Sequence, residues 1–409
     1  MLKDSDLIIF SLARWDAAYS STPFFLAKEF ARKNNVYYID HPFSVKDFLL
    51  NYKSPAIQRR KEALLIGKNI YRKSDECPGR LTLVTPRITL PINFLPEGFL
   101  YNSLARWNDK IVFNVIRQIV KDFKVKKFIF LNAFDPYFCR DFPSELQPVK
   151  KIYLSTDDLT QVSYTARHGV RLEEDIVRKF DMTLTTSQEL RRLKLKYSDH
   201  VYFFPNAADV STFQRAITEK LPRPLELIPA EGKKIIGYTG NIESRIDYQL
   251  LKAVIESHPD KIIAMVGPVT TQEHHTIGLT EYSNVVMTGA KKTEQLPGYL
   301  QYFDCALIPF KKNTLTRSIY PLKINEYLAA GRPVVATDFS EDIQGFKDVI
   351  YIGRSTGEFV QLIDQAIREN NSERLQARTT VANTNTWTAR VEKFWEILEN
   401  HKPVFSLAL

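Results

Sequence analysis

Cysteine is scarce in this chain: Cys77, Cys139 and Cys305 are the only three in 409 residues. An odd, widely scattered set argues against a disulfide framework and a zinc site, and predicts reduced thiols in a cytosolic compartment. No apolar run reaches eighteen residues, so no membrane-crossing helix is expected. The start, MLKDSDLIIFSLARWD, offers only a short apolar run with acidic residues before it. That composition reads as a first strand rather than a signal peptide. Internal repeats and low-complexity segments are also missing, which leaves an ordinary globular chain.

What is present fits that reading. An apolar fraction of 44% and a charged fraction of 25% are usual for a folded protein, and the length predicts two or three domains. The formal charge of +9 is unevenly placed. Residues 1–206 hold 33 Lys and Arg against 23 Asp and Glu, whereas residues 207–409 hold 23 against 24. The first half therefore faces something anionic, with an anionic leaflet, a lipid-diphosphate acceptor and nucleic acid all open; a plain solvated basic surface also satisfies the count. The densest cluster is Lys53, Arg59, Arg60, Lys61, Lys68, Arg72, Lys73 and Arg80, interleaved with Ile57, Leu64, Leu65 and Ile70. It reads either as a basic amphipathic helix lying on an anionic membrane or as a solvated helix face.

Apolar runs alternate with helical patterns along both halves. Asp6–Leu12 and Val36–Ile39 read as strands flanking a helix over Phe24–Lys33, introduced by Ser20 to Pro23; the serines serve either as a helix cap or offer their N–H groups to a phosphate or to acceptor hydroxyls. Lys127–Leu131, Lys151–Ser155 and Met182–Thr186 read as further strands, with helices over Arg106–Lys121 and Glu173–Phe180. Leu83–Phe99, with Pro86, Pro91 and Pro96, is extended or irregular. Asn132, Asp135, Asp157 and Asp158 end strands, where open parallel sheets bind ligands. Asp157 and Asp158 are candidates for a general base, since one carboxylate beside another favours proton uptake; a helix-capping role is the alternative. Being adjacent rather than spaced as Asp-x-Asp, they predict no metal site. Leu221 to Gly232, rich in proline, reads as a linker. Lys234–Thr239, Ile262–Val266, Asn284–Gly289 and Cys305–Phe310 are the strands of a second α/β unit, and Trp387–Leu398 a final helix.

The most informative stretch is LTRSIYPLKINEYLAAGRPVVAT, residues 315–337. Pro321 suits a helix start, Gly331 a helix end, and Pro333–Thr337 a buried parallel strand. Lys323 and Glu326 lie three apart and share a helix face. A helix start with a cation beside it suits a diphosphate, and a carboxylate one turn on suits paired sugar hydroxyls.

At PLKINEYLAAGRPVVAT the chain closely resembles the nucleotide-binding segment of group 1, family 4-like glycosyltransferases, especially teichuronic-acid and exopolysaccharide transferases. The resemblance implies an α/β architecture of the GT-B kind, with two Rossmann-like doubly wound domains facing a cleft. It implies an acceptor-side domain over 1–206, a linker over 207–232, a nucleotide-sugar domain over 233–385 and a C-terminal helix, 386–409, returning to the first domain. Carried over residue by residue, it places Glu326 on the donor ribose. It places the donor around Gly240, Asn241, Arg245, Gly267, Pro268, Gly289, Arg317, Ser318, Tyr320, Pro321, Leu322 and Lys323. The family's earlier glutamate is replaced by Ser318, and its usual Arg and Lys after the first glycine by Asn241 and Asp247. The loss of that glutamate favours inversion with an aspartate base, and the stereochemistry stays open.

The implied activity is metal-independent transfer of a hexose from a nucleoside-diphosphate sugar, without a cofactor, to a glycan or lipid-linked acceptor in bacterial polysaccharide biosynthesis. Arg245, Arg317, Lys323 and two helix N-termini would stabilise the leaving diphosphate. The expected location is cytoplasmic, peripheral to the inner face of the membrane, with no nucleic-acid partner. A sugar-nucleotide 2-epimerase of the same fold and a nucleic-acid-binding protein are the competing readings.

Overall fold

A computed structural model of the chain describes residues 2–17, 21–75, 77, 79–161 and 167–401. The chain divides into two compact units, Met1–Pro205 with Arg390–Leu409, and Asn206–Ala389.

The first unit is built on an eight-stranded sheet. Its strands are β1 (Asp6–Ser11), β2 (Val36–Asp40), β3 (Tyr71–Lys73), β4 (Leu81–Val84), β5 (Phe128–Ala133), β6 (Lys150–Ser155), β7 (Met182–Thr185) and β8 (Val201–Phe203). They lie in the order β3-β4-β2-β1-β5-β6-β7-β8, and only the β3–β4 pair is antiparallel. Leu7 to Phe10 of β1 are wholly buried, as expected for a parallel strand covered on both faces. Ile8 sits between Tyr37 and Phe130 in register. The long helix Phe99–Asp122 turns Val112, Phe113, Ile116 and Ile119 into the same core. Residues 390–400 of the helix Trp387–Asn400 belong to the first unit, where Phe394 meets the ring of Phe30 at 4.8 Å between centroids.

The second unit holds six parallel strands: β9 (Ile235–Thr239), β10 (Ile262–Val266), β11 (Val285–Gly289), β12 (Cys305–Ile308), β13 (Val334–Thr337) and β14 (Tyr351–Gly353). Their order, β11-β10-β9-β12-β13-β14, is the 3-2-1-4-5-6 arrangement of a dinucleotide-binding sheet. The direction of winding reverses between β9 and β12. Ligands bind at the carboxyl ends of strands at such a reversal.

Two sequence expectations are corrected here. Residues 207–232 are not a free linker. They form the helix Val210–Thr218 and the 3-10 turn Leu225–Ala230 of the second unit, where Leu227 and Ala230 are fully buried. Glu226 is held there by Lys291 at 2.6 Å and Tyr299 at 2.9 Å. The basic cluster is not one helix either. It is divided among the short helices Pro55–Gln58 and Lys61–Ile66 and the strand β3. Arg60 is buried, donating to Asp16 at 2.7 Å and to Asp40 at 3.0 Å. Burial pushes the Asp40 carboxyl up to about 6, with Arg60 opposing the rise. Arg59, Lys61 and Lys68 do remain exposed.

Candidate functional site

The helix Leu322–Ala329 follows Pro321 at its N-cap and ends before Gly331, whose φ of 68° suits a residue without a side chain. Its position is fixed from within. Tyr327, fully buried, accepts the Thr239 backbone N–H at 2.9 Å and so ties the helix to the end of β9. The partly open first turn is thereby presented at the strand reversal.

Lys323 lies on that turn. Its ammonium stands 5.6 Å from the ring centroids of both Tyr238 and Phe310, residues from the β9 and β12 ends. It packs so closely over Gly240 that a Cβ there would collide with the lysine. Gly240 has a φ of 125°, a conformation glycine alone adopts freely. The next strand end approaches just as tightly, because a Cβ on Gly267 would overlap the Gly240 carbonyl. Gly240 N–H donates to Val266 at 2.8 Å, Ile242 N–H donates to Pro268 at 2.8 Å, and Gly267 bridges to Gly289. The structure therefore brings Gly240, Gly267, Pro268, Gly289 and Lys323 together at the strand ends.

Lys323 and Glu326 each keep part of their surface open, yet protein surrounds them closely enough to strip solvation. Burial lowers the lysine's pKa, as does nearby Arg245, against the pull of Glu326 and Glu243. Burial raises the Glu326 carboxyl to about 7, with Lys323 opposing. Among the described residues neither side chain makes a hydrogen bond or a close ion pair. A recessed cation and a recessed carboxylate without partners are costly unless a ligand completes them. Asn325, also fully buried, leaves its Oδ1 without a hydrogen bond and gives its amide to Tyr320 at 3.4 Å.

The other expected residues take different positions. Arg245 donates to Glu243 at 2.8 Å and stacks 5.7 Å over Phe310, so its charge is already engaged. Asp247 caps the helix Tyr248–Ser257, accepting from Gln249 and Leu250. A carboxylate thus occupies this helix start, where a phosphate would otherwise meet free backbone N–H groups. Arg317 is exposed on the short helix Thr314–Arg317. Ser318 is buried and donates to Leu315 at 2.8 Å, and Tyr320 is buried beside it. Asn241 uses its carbonyl to accept the Tyr238 hydroxyl at 2.9 Å.

In the first unit, Asp157 and Asp158 follow β6. Asp158 accepts the Thr160 N–H at 3.0 Å and hydroxyl at 2.7 Å, the bonding of a turn cap. Asp157 accepts from Thr156 at 3.5 Å. Ser20 lies outside the described residues, and Ser21 precedes the helix Thr22–Phe30 without a side-chain cap bond. No group of three or more metal-ligating residues occurs among the described residues.

Solved structures share the fold across nearly the whole chain. Sucrose-phosphate synthase from Thermosynechococcus elongatus matches with a TM-score of 0.61 at 15% identity, covering 96% of this chain and 98% of that one. An α,α-trehalose-phosphate synthase (UDP-forming) from Burkholderia vietnamiensis matches with a TM-score of 0.67 at 10% identity, covering 97% of each. The fold is GT-B. Within the GT-B chain, residues 233–369 match the family of glycosyl transferases, group 1. The putative teichuronic acid biosynthesis glycosyltransferase TuaH of Bacillus subtilis (strain 168) is 27% identical over 158 residues, 37% of this chain. That aligned stretch spans 40% of the TuaH sequence. The family match covers the strand reversal and every residue packed around Lys323.

Proposed function

We propose that the protein transfers a sugar from a nucleoside-diphosphate sugar to a glycan or lipid-linked acceptor in polysaccharide biosynthesis. The observation that carries this reading is the pairless Lys323 and Glu326 at the strand reversal of the second unit. The ammonium would meet the diphosphate and balance the charge that grows as it leaves. Glu326 would accept the two ribose hydroxyls, each of its oxygens taking one. Gly240, Gly267 and Gly289 let the backbone approach the donor without side chains in the way. Tyr320, Pro321, Leu322, Arg317 and Ser318 form the approach to the helix, while Arg245, paired with Glu243, contributes field rather than a free fork. The reading invokes no metal and no cofactor.

The group 1 match and the TuaH likeness support the reaction class. A related structure is described as bound with UDP-2-fluoro glucose, which makes a uridine nucleotide the first donor to try. Asp157 and Asp158 are carried as candidate bases on the acceptor side. The proposed setting is the cytoplasmic face of a membrane. Exposed Arg59, Lys61 and Lys68 beside exposed Leu65 and Ile66 support contact with anionic lipid.

The direct test is a panel of nucleotide sugars, read by released nucleotide. One donor should be consumed, and Lys323→Ala should weaken its binding by about 10–100-fold while the protein stays folded. Equal binding in the variant would remove the diphosphate assignment.

A further inference from the structure

A groove of about 490 Å³ runs beside the long helix Phe99–Asp122 in the first unit, a size that small-molecule sites share. Ile70 and Val115, both buried, form its floor, and Leu65, Ile66, Trp107 and Ile111 its walls. Trp107, Ile111, Val115 and Gln118 recur every three or four residues and so make one stripe of the helix. From Trp107 to Gln118 that stripe is roughly 16 Å long. Trp107 is 49% and Ile66 59% exposed, large apolar side chains that it costs free energy to leave in water. Leu49 and Leu50, on the helix Val45–Leu50 whose Val45 also lines the groove, are more exposed still.

The polar residues of the lining need no partner inside it. Thr89 gives its N–H to the Phe43 carbonyl at 3.0 Å, and Asn114 and Gln118 reach solvent. A peptide laid here would withdraw backbone N–H and C=O groups from water that these walls cannot match. A hydrocarbon chain brings no such groups, and a linear one lies along a single helical stripe.

Charge selects the head that such a chain carries. Arg87 lines the groove, and Lys68 follows the helix Lys61–Ile66. Both are exposed, and among the described residues neither pairs with a carboxylate. The Arg87 stem packs over Gly67, and its guanidinium gives one N–H to the Leu65 carbonyl at 3.2 Å, which leaves its other donors for a phosphate. The acids of the three lining helices are all engaged. Asp47 accepts the Ser44 hydroxyl at 2.9 Å, and Glu62 accepts from Asn69. Asp109 accepts the Cys139 N–H at 2.8 Å, and Asp122 the Tyr71 hydroxyl at 2.9 Å. A cationic edge without an opposing acid favours an anionic head.

We propose that this groove takes one acyl chain of an anionic membrane phospholipid, with the phosphate of its headgroup against Arg87. The inference deepens the membrane setting proposed above and rests on it: surface cations bring the protein to the leaflet, and the groove holds a single lipid by its chain.

The test uses the full chain, with thermal unfolding to verify that each variant is folded. The probe is myristoyl lysophosphatidylglycerol, kept below its micelle concentration and brominated on the chain in one arm. It should saturate the parent, and the brominated form should quench part of the tryptophan fluorescence. Trp107→Phe, which keeps Trp15, Trp387 and Trp395, should remove that quenching. Ile66→Glu, at an exposed position, should weaken binding at least about tenfold, because it sets a charge against the chain. Arg87→Gln should lower the affinity to that of the choline lysolipid. Glycerol phosphate, a head without a chain, should not compete.

Unchanged quenching in Trp107→Phe, or parental binding by Ile66→Glu, overturns the proposal. So does binding seen only above the micelle concentration. A polyprenyl phosphate that displaces the lysolipid at lower concentration gives the groove to an isoprenoid and overturns the acyl assignment. A dimer in sedimentation velocity that Ile66→Glu dissociates gives it to a second copy, with the same consequence. Failure of the membrane setting reads differently. If anionic vesicles never bind the parent, that setting falls and takes the lipid source with it. If vesicles bind and the lysolipid monomer does not, the groove inference falls alone.

Discussion

Glu326 has its proton affinity raised to about 7 from an ordinary 4.5, with burial as the main cause. The sign of the stability effect follows. The folded state holds the proton more tightly than the unfolded one, so stability is fully retained below pH 4.5 and falls as pH rises towards 7. Glu326→Gln removes that cost. It should raise Tm by several degrees at pH 8 and leave it nearly unchanged at pH 5, by calorimetry. The same substitution should abolish donor turnover, because a neutral amide offers one acceptor where the ribose needs two. A site that sacrifices stability for binding shows both effects together. Loss of both stability and turnover at pH 8 would make Glu326 a structural residue.

At the scale of elements, the site depends on how close three strand ends and one helix come. The two glycines test different contacts. Gly240→Ala meets the far end of Lys323, a flexible group that can swing aside. The variant should fold, with a modest loss in Tm from the strained φ, and bind nucleotide at least about tenfold more weakly. Gly267→Ala meets the Gly240 carbonyl, which cannot move without parting β9 from β10. Its main effect should be on stability, about 2–4 kcal/mol by chemical denaturation. Comparable losses of stability in both variants would contradict the view that Lys323 is a mobile ligand-binding group resting on a rigid floor.

For the whole molecule, the chain reveals most of its parallel strands readily because they are buried on both faces, although Leu81–Val84, equally buried, is hidden by the prolines that follow it. Residues 262–266 and 334–336 are unbroken apolar runs, and such runs need no partner to be read. The placing of Lys323 and Glu326 on one helical turn was legible for a similar reason, being local. What depended on distant contacts was not. Arg60 looked like a surface cation because its partners, Asp16 and Asp40, are 44 and 20 residues away. Residues 207–232 looked like a linker because proline-rich composition hides the bonds from Glu226 to Lys291 and Tyr299. The 2.6 Å contact between the His41 Nδ1 and the Asp135 Oδ2, 94 residues apart, likewise follows no spacing rule. Only the rule that polar residues at strand ends bind ligands points to them, and it marks Asp135 more plainly than His41.

The membrane part of the proposal also belongs to this scale. Reversing Arg59 and Lys61 to Glu should release the protein from anionic vesicles in sedimentation. Arg60 is left intact because it stabilises the fold from inside. Unchanged sedimentation would make the basic excess of the first half a solvated surface.

The central claim is that Lys323 and Glu326 are the two ends of a nucleotide grip. A crystal grown with the nucleoside diphosphate that binds best tests it most directly. The account predicts the diphosphate within hydrogen-bonding distance of the Lys323 Nζ and both ribose hydroxyls on the Glu326 carboxylate. A nucleotide bound elsewhere, or one that leaves Glu326 untouched, would contradict it.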